Sequence, residues 1–301
     1  MRTAFIQELT VLARSHPKIF LMVGDLGFSV VEPFAKEFPN RYLNAGIAEQ
    51  NMAGMAAGMA SEGWHVFIYS IANFPTLRCL EQLRNDACYH NLPVTVVAVG
   101  AGLAYGNLGY SHHAVQDIGC MRGLPNIHVY SPADPGETRL CLRRIVGAPG
   151  PSYLRVGKAG EKVLHEKPDF NGGLIHVAGP ENSEVAVVAT GSVLEEALTA
   201  LNREEATPFA VYSLVGVTPL APDTLAPLWN HRHLITIEEH LRPGGIGELL
   251  AGRRPAAITM DFLHIKEELN SLVGSQTFLR RRHGIDAEAV SELVRRTRRG
   301  T

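Results

Sequence analysis

Cysteine is scarce: the 301-residue chain has four, Cys79, Cys88, Cys120 and Cys141, and no pair stands in CxxC spacing. That excludes a disulfide framework and points to a reducing compartment, here the cytoplasm. Long apolar runs are also missing. The most apolar segment, residues 94–103, spans about ten residues, roughly half of what a membrane-crossing helix needs. The opening MRTAFIQELTVLARSH alternates polar and apolar residues at helical spacing and lacks the unbroken apolar stretch of a signal peptide, so the expectation is a soluble protein without export. Nor is there an excess of charge of either sign. Lys plus Arg is 28 against 30 for Asp plus Glu, a formal charge of −2, so no field draws in nucleic acid or an anionic membrane.

What is present is a globular composition, 46% hydrophobic and 19% charged, in a chain long enough for two domains of roughly 150 residues. Short β-rich runs, IFLMVG (19–24), HVFIYS (65–70), VTVVAVG (94–100), NIHVYS (126–131) and SYLRV (152–156), alternate with helical patterns near 47–62, 74–90, 114–123 and 134–146. After Val156 the chain turns polar and rich in Gly and Lys, reading as an edge hairpin or linker. The alternation then resumes with EVAVVAT (184–190), FAVYSLV (209–215), HLITIE (233–238) and AAITMDFL (256–263), with helices starting near Ser192, Thr224 and Gly247. The expected fold is α/β: two doubly wound domains with mainly parallel sheets, covering 1–165 and 184–301, with a linker at 166–183. At the C-terminus, Arg295, Arg296, Arg298 and Arg299 read as a solvated helix end that suits the helix dipole.

Chemistry concentrates between Arg41 and Gly63, RYLNAGIAEQNMAGMAAGMASEG: a strand, a glycine turn, and a helix built almost wholly of small residues and methionine. Gly54 and Gly58, four apart on one face, let another backbone approach, and the helix is expected to be packed tightly on several sides. Glu49, in its first turn, would complement the helix dipole in any protein. Among Ala, Ile, Gly and Met, however, the carboxyl is expected to lose water, which raises an acid's pKa toward neutrality. His112 and His113 lie in a polar, glycine-rich stretch. Adjacent histidines do not readily share one metal, and no further ligand recurs at metal spacing. The Gly100-x-Gly102-x-x-x-Gly106 run is not GxGxxG, and no helix follows it at once, so a dinucleotide site is not indicated. Glu238-Glu239-His240 ends a strand and reads chiefly as loop structure, less as part of a site rim.

The segment GIAEQNMAGMAAGMA, with upstream VGDLGFS and downstream YSIANFPTLRCLEQLRND and GYSHHAVQD, resembles the pyrimidine-binding domain of transketolases over about 20–160. Beyond 180, VAVVATGSVLEEAL and LITIEEHLRPGGIGELL resemble the C-terminal domain shared by transketolases, deoxyxylulose-phosphate synthases and E1 β subunits of 2-oxo-acid dehydrogenases. The most specific element is the Gly46-Ile47-Ala48-Glu49 turn with the helix behind it. The resemblance implies that Glu49 bonds N1′ of the aminopyrimidine of thiamine diphosphate and drives it toward the imino tautomer that removes the C2 proton. It sets Phe74 against the pyrimidine face, Ile47 in the same pocket and Asp25, at a strand's C-terminal end, near the thiazolium. It implies His112 as the active-site histidine, for proton transfer or for a substrate oxygen, and aligns Arg2, Ser29 and above all Arg155 with phosphate-binding positions.

Departures from the family pattern bear on the substrate. Where transketolases read Asp-Gly-Pro-Thr-His, this chain reads Leu108-Gly109-Tyr110-Ser111-His112, and Gly100 stands where many carry a phosphate-binding histidine. An unusual sugar-type donor or acceptor is implied. No Gly-Asp-Gly occurs anywhere in the chain, and in the family it resembles that segment binds the Mg²⁺ that holds the diphosphate. The resemblance therefore implies the C-terminal subunit of a split transketolase that transfers a two-carbon ketol unit to an aldehyde. A separate diphosphate-binding subunit would hold the metal, in a heterotetramer built around a dimer of this chain. The alternatives are an E1 β subunit and a non-catalytic module of the same fold.

Overall fold

A computed structural model describes residues 1–165, 172–204 and 208–299. In chain order the first half contains α1 (Arg2–Ser15), β1 (Ile19–Val23), α2 (Glu32–Glu37), β2 (Tyr42–Asn44), α3 (Glu49–Ser61), β3 (His65–Ile71), α4 (Leu80–Gln82, continued by a π turn, Leu83–Cys88), β4 (Val94–Val99), α5 (Asp117–Arg122), β5 (His128–Tyr130), α6 (Pro135–Gly147) and β6 (Ser152–Val156). The second half contains β7 (Leu174–Ala178), β8 (Val185–Thr190), α7 (Leu194–Arg203), β9 (Ala210–Leu214), β10 (Gly216–Thr218), β11 (His233–Leu241), α8 (Ile246–Ala251), β12 (Thr259–Ile265), α9 (Gln276–His283) and α10 (Ala287–Arg299).

Two sheets result, a seven-stranded one in the order β10-β5-β6-β4-β3-β1-β2 and a five-stranded one in the order β12-β11-β8-β9-β7. Strands β4, β6, β8, β9 and β11 are buried along their whole length, the state that continuous Val- and Ile-rich runs adopt in parallel sheets covered on both faces. Among the described residues, only the edge strands β10 and β7 run antiparallel to their neighbours, β5 and β9. Helix ends follow local chemistry. Asp134 caps α6 by accepting from the Glu137 amide at 2.7 Å with Pro135 in the first turn, and Ser275 caps α9 by accepting from the Phe278 amide.

Three expectations change. Residues 166–171 of the expected linker lie outside the described residues, and Leu174–Ala178 within it is an edge strand of the second sheet. Strand β10, three residues long, leaves the second half and pairs with β5 of the first sheet. The α3 helix buries Met52, Ala53, Ala56 and Ala60, but its Gly54–Gly58 face is open. A Cβ added at either glycine would meet nothing within 4 Å, and a cavity of about 500 Å³ lined by Gly54, Ala57, Gly58, Ser61, Asp86, His90 and Leu92 lies there. Tight packing on several sides therefore does not describe this helix within one chain. At the far end of the chain, Arg295 pairs with Glu204 at 2.6 Å and Arg296 with Asp261 at 3.1 Å, so these two arginines hold neighbours as well as facing water. Among the described residues, no helix is long and apolar enough to cross a membrane.

Candidate active site

The loops that leave the C-terminal ends of β1, β2, β3 and β4, neighbours in one sheet, carry Asp25, Glu49, Phe74 and His112. Open α/β sheets bind ligands at this edge. Asn44, the last residue of β2, ties two of the loops: its Oδ1 accepts from the amides of Asp25 (3.1 Å) and Gly46 (3.0 Å), and its Nδ2 donates to Asp25 Oδ1 at 3.1 Å. Asn73 ties the other two, donating from Nδ2 to the carbonyls of Ser111 (3.1 Å) and His113 (3.0 Å). As a result the Phe74 and His112 rings meet edge to face, with centroids 5.5 Å apart.

Glu49 begins α3 with its side chain only 2% exposed. Its stem lies against Gly24, where an added Cβ would come within 3.4 Å of Glu49 Cγ and 3.2 Å of Ser70 Oγ. The sequence placed apolar groups around this carboxylate. The structure adds a cation, for Arg78 donates from Nη1 to Glu49 Oε2 at 2.7 Å while its guanidinium carbon sits 4.6 Å from the centre of the Phe74 ring. Beside them, burial and then the Glu49 charge push the Cys79 thiol up to about 12, which keeps it from acting as a thiolate nucleophile. His112 Nδ1 lies 3.0 Å from Ser111 Oγ, whereas His113 is buried with Nε2 at the Gly106 carbonyl.

The remaining predicted residues scatter. Ile47 is 79% exposed beside Glu49, an apolar side chain with no cover from its own chain. Asp25 and Ser29 both take left-handed backbone (φ 51° and 63°) and are exposed, and the Ser29 amide donates to Glu32. Arg2 is half-buried near the phenols of Tyr69 and Tyr105. The phosphate-binding expectation for Arg155 is corrected. Its side chain is 1% exposed, with Nε bonded to Asp117 Oδ2 at 2.7 Å and Nη2 to the carbonyls of Ala114 (2.7 Å) and Glu239 (2.9 Å), so the donors at Nε and Nη2 are spent inside the protein. Gly100 has a structural reason of its own: at φ 92° a Cβ there would strike the Tyr105 ring. The trio Glu238-Glu239-His240 is the buried end of β11 and not a loop. Glu238 accepts from the first amides of α8, Glu239 pairs with Arg280, and His240 accepts from the Gly119 amide. Burial pushes the Glu238 carboxyl up to about 7. Sequence reasoning missed Arg78, Asn73 and Asn44. Arg78 stands four residues after Phe74, a separation that brings side chains together on a helix and could have drawn attention to it, although here the segment is a turn.

Comparison with known proteins identifies the family. Residues 1–160 match the model of the transketolase pyrimidine binding domain and residues 176–280 that of the transketolase C-terminal domain. The chain belongs to the transketolase family. It is 34% identical over 272 residues, 88% of this chain and 87% of the relative, to one subunit of the apulose-4-phosphate transketolase of Actinobacillus succinogenes. It is 30% identical to a putative transketolase C-terminal section of Methanocaldococcus jannaschii, over 98% of this chain and 95% of that one. A solved structure described as a split gene transketolase, inactive beta4 tetramer, superposes with a TM-score of 0.84 at 31% identity, covering 98% and 96% of the two chains. The Campylobacter jejuni transketolase, at 17% identity and a TM-score of 0.81, shares the fold over 46% of its length. This transketolase chain thus corresponds to the C-terminal subunit of a split enzyme, a transferase, and the E1 β and non-catalytic readings are not favoured.

The pyrimidine end of thiamine diphosphate, the cofactor of this family, fits the residues present: a buried carboxylate, an aromatic ring beside it, and Ser70 Oγ, fully buried and without a hydrogen-bond partner among the described residues. Among the described residues no three His, Cys, Asp or Glu side chains gather as a metal site.

Proposed function

We propose that this subunit grips the pyrimidine half of thiamine diphosphate and supplies the proton relay for transfer of a two-carbon ketol unit from a sugar-type donor to an aldehyde. The partner subunit would hold the diphosphate and Mg²⁺. The observation that carries this reading is the Glu49–Phe74–His112 cluster, gathered at the strand ends by Asn44 and Asn73.

The bound cofactor supplies the carbanion chemistry. On this chain Glu49 holds and returns a proton at its carboxyl oxygen, sheltered from water by α3 and the Gly24 loop. Phe74 orients the flat ring, and its contact with His112 fixes the imidazole at the rim, where it donates to or accepts from a substrate oxygen. Exposed Ile47 and Asp25 await cover from the partner.

The name of the Actinobacillus relative favours a ketose phosphate as donor. Leu108, 54% exposed where the family pattern has a carboxylate, favours one that needs no acid at that hydroxyl. Arg2 and Ser29 remain the phosphate-binding candidates on this chain. Self-association is supported by the open Gly54–Gly58 face of α3 and by the assembly of the split relative. We place two copies of each chain in the active heterotetramer, in the cytoplasm, with this chain alone self-associated and inactive.

The test is reconstitution with the diphosphate-binding subunit, thiamine diphosphate and Mg²⁺, followed by a donor screen and substitution of Glu49. Glu49→Gln is expected to lower kcat by about 10²- to 10⁴-fold while leaving the melting temperature close to wild type. Turnover retained within a few-fold would remove Glu49 from the relay.

A further inference from the structure

The guanidinium of Arg78 makes two contacts, with the Phe74 ring at 4.6 Å and with Glu49 Oε2 at 2.7 Å. These are the same two groups that the proposed function assigns to the pyrimidine. A guanidinium is flat, cationic and rich in donors; it stacks on an aromatic face and bonds a carboxylate in its own plane. It therefore meets the demands of Phe74 and Glu49 much as an aminopyrimidine would, and a ring pressed on Phe74 and bonded to Glu49 needs the space that Arg78 takes.

We propose that Arg78 is a stand-in that fills the pyrimidine place while the subunit is empty and swings out as the cofactor comes in; this rests on the reading of the site given above. The two partners differ in freedom. Glu49 is 2% exposed and fixed at the head of α3, whereas the Arg78 side chain is 45% exposed on the turn after Phe74. The arginine is the partner that can leave, because water takes up its charge at little cost. While it stays, it gives the buried carboxylate a bonding partner, which a buried charge requires, and it keeps the Phe74 ring covered. Cofactor binding then competes with an internal ligand, and the apparent dissociation constant is the intrinsic one divided by the fraction of sites that Arg78 has vacated.

The experiment measures thiamine diphosphate binding, without turnover, by calorimetric titration of the reconstituted two-subunit complex in the presence of Mg²⁺. Arg78→Met is expected to bind about tenfold more tightly than wild type, the loss of one half-exposed ion pair and one cation–π contact. Arg78→Lys, which keeps the charge without the plane, should fall between them. Weaker binding by both variants would overturn the proposal and make Arg78 a lasting partner of the bound cofactor; unchanged binding would overturn it by showing that no competition exists. Should Arg78→Met fail to fold, as judged by circular dichroism, the Arg78→Lys titration decides. Failure of the wild-type complex to bind thiamine diphosphate would count against the proposed function itself, a result distinct from any of these.

Discussion

Arg155→Met separates an internal role from a substrate role for the arginine that sequence reasoning offered to a phosphate. In the structure Asp117 is fully buried, and its Oδ2 accepts from Arg155 Nε at 2.7 Å and from the Tyr153 hydroxyl at 2.5 Å. The Arg155 Nη2 satisfies two carbonyls, one on each half of the chain, Ala114 and Glu239. Methionine fills similar space but leaves a buried carboxylate without its cation. Removing one partner of a buried pair costs about 3–5 kcal/mol, and in a chain of this size that lowers the melting temperature by roughly 5 to 8 °C. The assay is thermal melting by circular dichroism at fixed protomer concentration, since assembly also shifts the midpoint, alongside steady-state kinetics of the reconstituted pair. Removing both charges, as Asp117→Leu with Arg155→Met, should recover a good part of the loss, because a buried pair replaced by apolar groups is often neutral. A variant that melts with wild type while its KM for a phosphorylated donor rises tenfold or more would refute the internal role and return Arg155 to the substrate.

Other outcomes follow from the same geometry. Burial holds the His65 imidazole down to about 4, against 6.5 ordinarily, so the folded state binds fewer protons than the unfolded one in that window. The stability this represents is present above pH 6.5 and lost as pH falls toward 4. His65→Gln can keep the bond to Thr95 Oγ1 without titrating, so urea unfolding should show wild type losing ground to the variant across that range; a gap independent of pH would contradict the assignment. A Cβ at Gly58 meets nothing within 4 Å, so Gly58→Arg should fold normally yet dissociate the self-assembled subunit in light scattering; an unchanged mass would place the self-contact elsewhere. Asn73→Leu cuts both bonds that Asn73 makes to the His112 loop. It should lower kcat by about ten- to a hundredfold through misplacement, with a smaller effect on the melt; kcat equal to wild type would show that His112 needs no such tie.

The fold was largely legible because central parallel strands are buried on both faces and therefore write continuous apolar runs. SYLRV became β6 without a change of limits, and VTVVAVG became β4 less its final glycine. What escaped lacks such a run. The three residues of β10 are strand only because β5 offers them partners some 90 residues earlier, and β7 sits at an edge behind a polar, glycine-rich stretch. The site divides in the same way. Glu49 was legible from the turn and the helix that follow β2, but the guanidinium that reaches it comes from position 78, on a different loop. Arg155 was misread because a strand-end arginine looks the same in sequence whether water or a buried aspartate lies opposite, and the choice is made by Asp117, one helix away.

The borrowed strand β10 has a bearing on how this polypeptide could be divided. A cut at the polar stretch after β6 would release a first half whose sheet ends at the outer edge of β5, stripped of β10, a raw backbone margin of the kind that recruits neighbouring molecules into aggregates. The second half would carry off the patch that covers it. Trimming the gene at that seam should therefore give two sticky fragments instead of two modules, and co-expressing them should restore solubility to both.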